Sequence, residues 1–124
     1  MKPSRRLSVD VRVVHERGGE SVLASDVDVA DSVLSRARGL MFRRSIPHGY
    51  ALVFEFGGRK RRGVHMVFVP FAIDVLWLVD EEVQRVETLA AWTGLASAEA
   101  DRLIELPAGR ADGVRVGDRV RVEP

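Results

Sequence analysis

The sequence predicts a mainly β fold, a sandwich or barrel formed as a single domain over residues 1–124. Three observations predict it. Apolar and polar residues alternate along several short runs, Gly, Pro and Asp interrupt those runs at short intervals, and only the stretch near residues 31–42 changes to a helical period. A chain of 124 residues is of the size that buries a core of its own without disulfides or metals.

The first element is LSVDVRVV at 7–14. Leu7, Val9, Val11 and Val13 fall on one side, and Ser8, Asp10 and Arg12 on the other, the period of two of a half-buried strand. Gly18 and Gly19 read as a turn and SVLASDVDVA at 21–30 as the partner strand, giving a hairpin with His15 solvated at its tip. Asp31 or Ser32 then caps a short helix running to about residue 42, with Val33, Leu34, Ala37, Leu40 and Met41 on its buried face. Gly39, awkward inside a helix, either ends the regular turn or permits a close approach. After a loop marked by Pro47 and Gly49, the pattern gives strands at 51–56, 64–69, 73–79, 83–89, 102–106 and 119–122. Gly57–Gly63 and Asp80–Glu82 read as turns, and 91–100 as a longer loop.

Composition narrows the function. With no cysteine, disulfides, thiolate metal sites and cysteine nucleophiles are excluded. A metal would need His15, His48 or His65, and no two of these have chelate spacing, so neither a metal nor another cofactor is expected. The balance of 19 basic and 18 acidic residues gives no global field to gather polyanions. No apolar run reaches the roughly 18 residues of a membrane span, and the start lacks a secretory h-region. The expectation is a soluble cytoplasmic protein. Neither a phosphate-cradling glycine loop nor a Gly-x-Ser-x-Gly elbow is present.

Three stretches carry a family resemblance: ARGLMFRRSIP at 37–47, VHMVFVPFAIDVLWLVD at 64–80 and IELPAGRADGVRVGDRV at 104–120. In content, order and spacing they resemble the family called domain of unknown function 192, over roughly residues 22–122. Many bacterial members of that family carry an aromatic-Trp-Met-Lys-Asn-Thr run where this chain has Val64, His65, Met66, Val67, Phe68 and Val69. Met66 and the later Asp74 are shared, and the His-Met form is similar to the archaeal branch. The resemblance implies a jelly-roll-like β fold and supplies no established activity.

On physical grounds the candidate ligand-binding residues are Arg38, His65, Asp74 and Trp77, bordering a groove that takes a small molecule or a peptide. His65 with Asp74 invites a general-base dyad, the basis of a hydrolase-like alternative. A tight hairpin of 64–69 with 73–79 would hold the two apart, however, and Asp74 equally fits a carboxylate capping nearby amides or pairing with Arg38 or Arg43. Glu55 and Glu105 could form a carboxylate pair if their strands face each other. A third reading is nucleic-acid binding by the basic loop Arg59, Lys60, Arg61 and Arg62, together with a C-terminal hairpin turning at Gly117-Asp118 and presenting Arg115, Arg119 and Arg121. Near-neutral charge makes nucleic acid the less favoured partner. Oligomeric state stays open, since sheet edges can pair between chains.

Overall fold

The computed structural model describes residues 5–6, 11–30 and 39–124. Nine strands occupy them in chain order: β1 Arg5–Arg6, β2 Arg12–Glu16, β3 Glu20–Ala24, β4 Asp26–Ala30, β5 Tyr50–His65, β6 Ile73–Val79, β7 Glu82–Leu89, β8 Leu95–Pro107 and β9 Arg119–Glu123. They join in one sheet ordered β1-β4-β5-β8-β6-β7-β9-β2-β3, antiparallel throughout except for the parallel pair β4 and β5. The mainly β class expected from the alternating runs is the class observed. Most of the expected helix, residues 31–38, lies outside the described residues, and residues 39–42 form turns.

The sheet has two apolar faces, and each has its own core. Val13, Leu23, Val27, Val53, Leu76, Leu78, Ile104, Leu106 and Val120 pack together on one face. Because β2 and β4 are well separated in the strand order yet touch, the sheet rolls around this cluster. Leu52, Phe54, Met66, Val69, Ile73, Val75, Trp77 and Leu103 form the second cluster on the other face, roofed by Leu40, Met41 and Ile46 from the segment before β5. Strands buried on both faces read as solid apolar runs, which is why IDVLWLV of β6 shows little alternation.

Several expectations are corrected. The strand expected over 21–30 is two strands. The amides of Ser25 and Asp26 both donate to the Gly49 carbonyl (3.1 Å each), and there the chain leaves β2 and takes β5 as its neighbour. The turn expected at Gly57–Gly63 does not form. β5 runs through it, and its pairing with β8 steps from Glu55↔Arg102 to Lys60↔Ala100, so Phe56–Arg59 bulge opposite Asp101. Glycine here serves a bulge, the other use a strand makes of it. The expected loop at 91–100 is strand from Leu95 onward, because the lengthened β5 offers it a partner. The hairpin considered between 64–69 and 73–79 does not form: Val64 pairs with Ala96, and β6 lies between β7 and β8. At the end of the chain, residues 114–118 are turns and coil, and β9 pairs chiefly with β2.

The β2–β3 hairpin forms as expected around Gly18 and Gly19, but His15 is buried rather than solvated. Its Nε2 donates to the Asp118 carboxylate at 2.7 Å, and the Arg115 amide donates to the same oxygen at 2.9 Å. Burial opposes charge on Asp118, but these hydrogen bonds and the charges of His15 and Arg17 outweigh it and hold the carboxyl below its usual range. The contact ties the loop before β9 to the strand that β9 joins.

Candidate functional site

A cavity of about 90 Å³ opens on the second face of the sheet. Its walls are Leu40, Met41, Phe54, Val64, Met66, Val69, Ile73 and Leu103; Gly63 and His65 at the end of β5 also border it, and Glu105 is the acid set in its lining. Strand parity puts Glu105 there. It stands opposite Leu52 on β5 and Val75 on β6, both in the second cluster, so its side chain shares their face. Gly39 closes the opposite wall with φ +50°, a conformation that favours glycine, and a Cβ there would come within 3.1 Å of the Phe54 ring.

Glu105 is 5% exposed, and among the described residues its carboxyl makes no hydrogen bond or ion pair. Burial pushes its pKa up to about 8, against the opposing charge of Arg43. The Arg43 guanidinium is engaged elsewhere: it donates to the Tyr50 hydroxyl at 3.1 Å and lies over the Tyr50 ring, while that hydroxyl donates to Asp28 at 2.8 Å. Burial and Asp28 raise the Tyr50 phenol well above its usual range despite the opposing charge of Arg43. An acid in a strand core with a raised pKa is a neutral hydrogen-bond donor at neutral pH.

Two segments that line the cavity, 39–42 and 66–69, are knit to each other and to the loop before β8 by backbone hydrogen bonds: Phe42 N–H to Phe68 C=O (2.8 Å), Trp92 N–H to Val69 C=O (3.0 Å) and Met66 N–H to Gly94 C=O (3.0 Å). They expose Phe42, Val67, Phe68, Trp92 and, at the start of β8, Leu95. Phe42 and Phe68 stack with ring centroids 4.9 Å apart. All three aromatic residues have positive φ (Phe42 69°, Phe68 61°, Trp92 65°). Bulky residues seldom adopt that backbone, which costs about 1–3 kcal/mol each. Phe42 and Phe68 adjoin the cavity-lining Met41 and Val69, and strain of this kind recurs at binding sites.

Of the expected site residues, His65 lines this cavity. Its Nδ1 accepts from the Val67 amide at 3.2 Å, and among the described residues no carboxylate orients the ring. Arg38 lies outside the described residues. Asp74 is turned to the first face: it is 2% exposed, accepting from the Thr88 hydroxyl (2.7 Å) and from the amides of Gly109 (3.0 Å) and Ala111 (2.9 Å). Trp77 is fully buried in the second core, its indole N–H donating to the Arg62 carbonyl at 2.9 Å. The three described residues therefore do not share one cavity. Glu55 and Glu105 also fall on opposite faces, and Glu55 accepts from Arg102 at 2.5 Å.

The basic run is strand, not loop. Arg59 lies 3.6 Å from Glu99, while Arg62 sits over the Phe56 ring and donates to the carbonyls of Gly58 and Ala100. Arg119 pairs with Glu81, and Arg121 with Glu16, Glu20 and Glu123. Much of the cationic surface expected at these two places is thus taken up by carboxylates and carbonyls of the chain itself. The sequence reading placed Glu105 only in a hypothetical pair and passed over Met41, Met66 and the exposed aromatics. The signal was a glutamate set in the apolar run LIEL of β8.

A model of the family described as Uncharacterized ACR, domain of unknown function 192, matches residues 13–122. The chain belongs to this family. Archaeal members resemble it: the UPF0127 protein of Thermococcus gammatolerans is 32% identical over 87% of this chain and 72% of its own length. A UPF0127 protein of Thermococcus kodakarensis is 32% identical over 79% and 65%, and one of Pyrococcus horikoshii 34% identical over 77% and 86%. Two crystal structures share the fold of this domain of unknown function 192 protein. A Sinorhizobium meliloti protein described as a candidate transcription regulator superposes with TM-score 0.77 at 22% identity, covering 94% of this chain and 96% of that one. A Novosphingobium aromaticivorans protein of unknown function gives 0.78 at 20% identity, covering 89% and 83%. Among the described residues no helix is long and apolar enough to cross a membrane.

Proposed function

We propose that this protein binds a small molecule, or the end group of a peptide, in the cavity over Glu105. The observation that carries the reading is a carboxyl almost buried, without a hydrogen-bond partner among the described residues, facing an apolar chamber. An unpaired buried polar group costs about 1–3 kcal/mol, and a ligand that hydrogen-bonds to it removes that cost. The stacked and strained aromatics at the opening supply apolar surface for the rest of the ligand. Binding is favoured over turnover because, among the described residues, no acid orients His65. A cysteine-free chain suits a cytoplasmic setting for this role.

The test is an amide-resolved NMR titration with a panel of small acids, amides, amines, alcohols and short peptides. The expected result is a set of shifts confined to residues 39–43, 63–69 and 103–106 that disappears in a folded Glu105→Leu variant. Shifts located instead at 59–62 and 115–121, or none with any probe, would overturn the reading.

A further inference from the structure

We propose that the exposed rim of Phe42, Val67, Phe68, Trp92 and Leu95 is a docking surface for the headgroup layer of an anionic lipid bilayer. The proposal goes beyond the cavity reading and is independent of what the cavity holds. The rim is continuous: Phe42 stacks on Phe68, the Trp92 amide is bonded to Val69, and Leu95 stands opposite His65 in the β5–β8 ladder. Its five side chains are between 48% and 77% exposed. Large apolar side chains gathered at one place on a surface mark a site of interaction, whereas scattered ones need no explanation. The three rings stand on positive φ, where Gly or Asn would be less strained, so nothing in the local backbone calls for bulk there.

Charge selects an anionic partner. The chain has 18 acidic residues, yet none falls within 39–50, 63–73 or 88–98, the three stretches that build the rim, whereas Arg43 and Arg44 do. The acids flanking these stretches are buried or paired: Asp74 is buried and hydrogen-bonded, Glu55 binds Arg102, Glu87 binds Arg85, and Glu99 lies 3.6 Å from Arg59. Arg44 is exposed and has no ion pair among the described residues. Arg61, on the same face of β5 as His65, is likewise exposed without one. A bilayer fits better than a peptide because the amides of Phe42, Met66, Val67, Val69, Trp92 and Gly94 all donate within the chain, leaving chiefly side chains to make contact. Satisfied backbone is what a loop needs to enter a poorly hydrated layer, and aromatic and aliphatic side chains beside arginine suit the membrane interface. A second copy would set unpaired cations against each other. Single-stranded nucleic acid needs open ring faces, and Phe42 and Phe68 cover one another's.

The experiment mixes the whole chain with vesicles of phosphatidylcholine alone and of an equal mixture with phosphatidylglycerol. Of the two tryptophans Trp77 is fully buried and Trp92 exposed, so a change in emission on binding reports Trp92. The expected result is cosedimentation with the mixed vesicles, weaker binding to phosphatidylcholine alone, a blue shift, quenching by brominated lipid, and affinity that falls with added salt. Phe42→Ser/Phe68→Ser, checked for folding by circular dichroism, is expected to lose more than about tenfold in vesicle affinity, and Arg44→Gln about fivefold. No cosedimentation overturns the proposal, as does binding without blue shift or quenching, which is attraction by charge alone. Equal binding to the two kinds of vesicle overturns the anionic assignment. Tighter binding of an acidic apolar peptide or an oligonucleotide at these residues, or a dimer that buries Trp92, assigns the rim to that partner and overturns the bilayer. If the double variant does not fold, the emission and quenching of the unaltered chain decide.

Discussion

Asp74 and Glu105 are buried one register position apart on neighbouring strands, and the structure treats them in opposite ways. Asp74 lies across from Leu106 and Glu105 across from Val75, so adjacent rungs of the β6–β8 ladder send two acids to opposite faces of the sheet. On the first face Asp74 accepts three hydrogen bonds and staples the loop after β8. On the second, Glu105 meets an apolar chamber and gains no partner from the described residues. The difference separates two uses of a buried acid. One that is fully hydrogen-bonded specifies the fold, while one left without a partner weakens the fold and reserves its hydrogen bond for something else.

This contrast breaks most visibly at Asp74. Asp74→Ala takes the acceptor from the buried Ala111 amide, from the Gly109 amide and from the Thr88 hydroxyl, and a loss of about 3 kcal/mol in urea unfolding is expected. Next comes Glu105→Gln, with the opposite sign. The folded pKa is raised from 4.5 to about 8, so the contribution of Glu105 to stability is full below pH 4.5 and is lost as pH rises toward 8. Glutamine does not titrate. The variant should therefore gain on the wild type as pH rises from 5 to 8, by roughly 1 kcal/mol per unit at most, as read from paired thermal melts. A wild-type profile flat over that range would show that Glu105 is ionised or solvated in the folded state. The smallest effect is at Thr88→Val, which removes one of Asp74's three donors while preserving shape, for an expected loss of about 1 kcal/mol. A loss as large as that of Asp74→Ala would mean the two amides contribute little.

Much of the fold could be read from residue patterns because much of it is local. The Gly18-Gly19 hairpin and the strands at 73–79 and 83–89 needed only period and turn chemistry, and Asp80 and Glu81 supply the tight turn with positive φ at both positions. What escaped depended on partners distant in sequence. Gly57 and Gly58 signal a flexible backbone, but whether that becomes a turn or a bulge is decided by Asp101 and its neighbours on β8. His15 was read as solvated because Asp118, its partner, lies on a segment that no pattern places nearby. The candidate site was legible in part. His65 was chosen for its chemistry and does line the cavity, and the amide-capping alternative for Asp74 describes its actual surroundings. Glu105 could not be singled out, because its significance is the lack of a partner on a particular face, and neither property is local.

The strand order also sets a timetable. β2 and β3 are among the first elements of the chain, yet they reach the rest of the sheet through β9. Until residues 119–123 are present, the early hairpin has no neighbour to complete its ladder, and the cluster to which Val13 and Val120 both belong stays open. Contacts of such long sequence separation close slowly, since loop entropy must be overcome before they reward it. The final strand acts as a latch, and shortening the chain by those few residues should leave a partly assembled sheet with an uncovered edge, prone to pairing with its own kind.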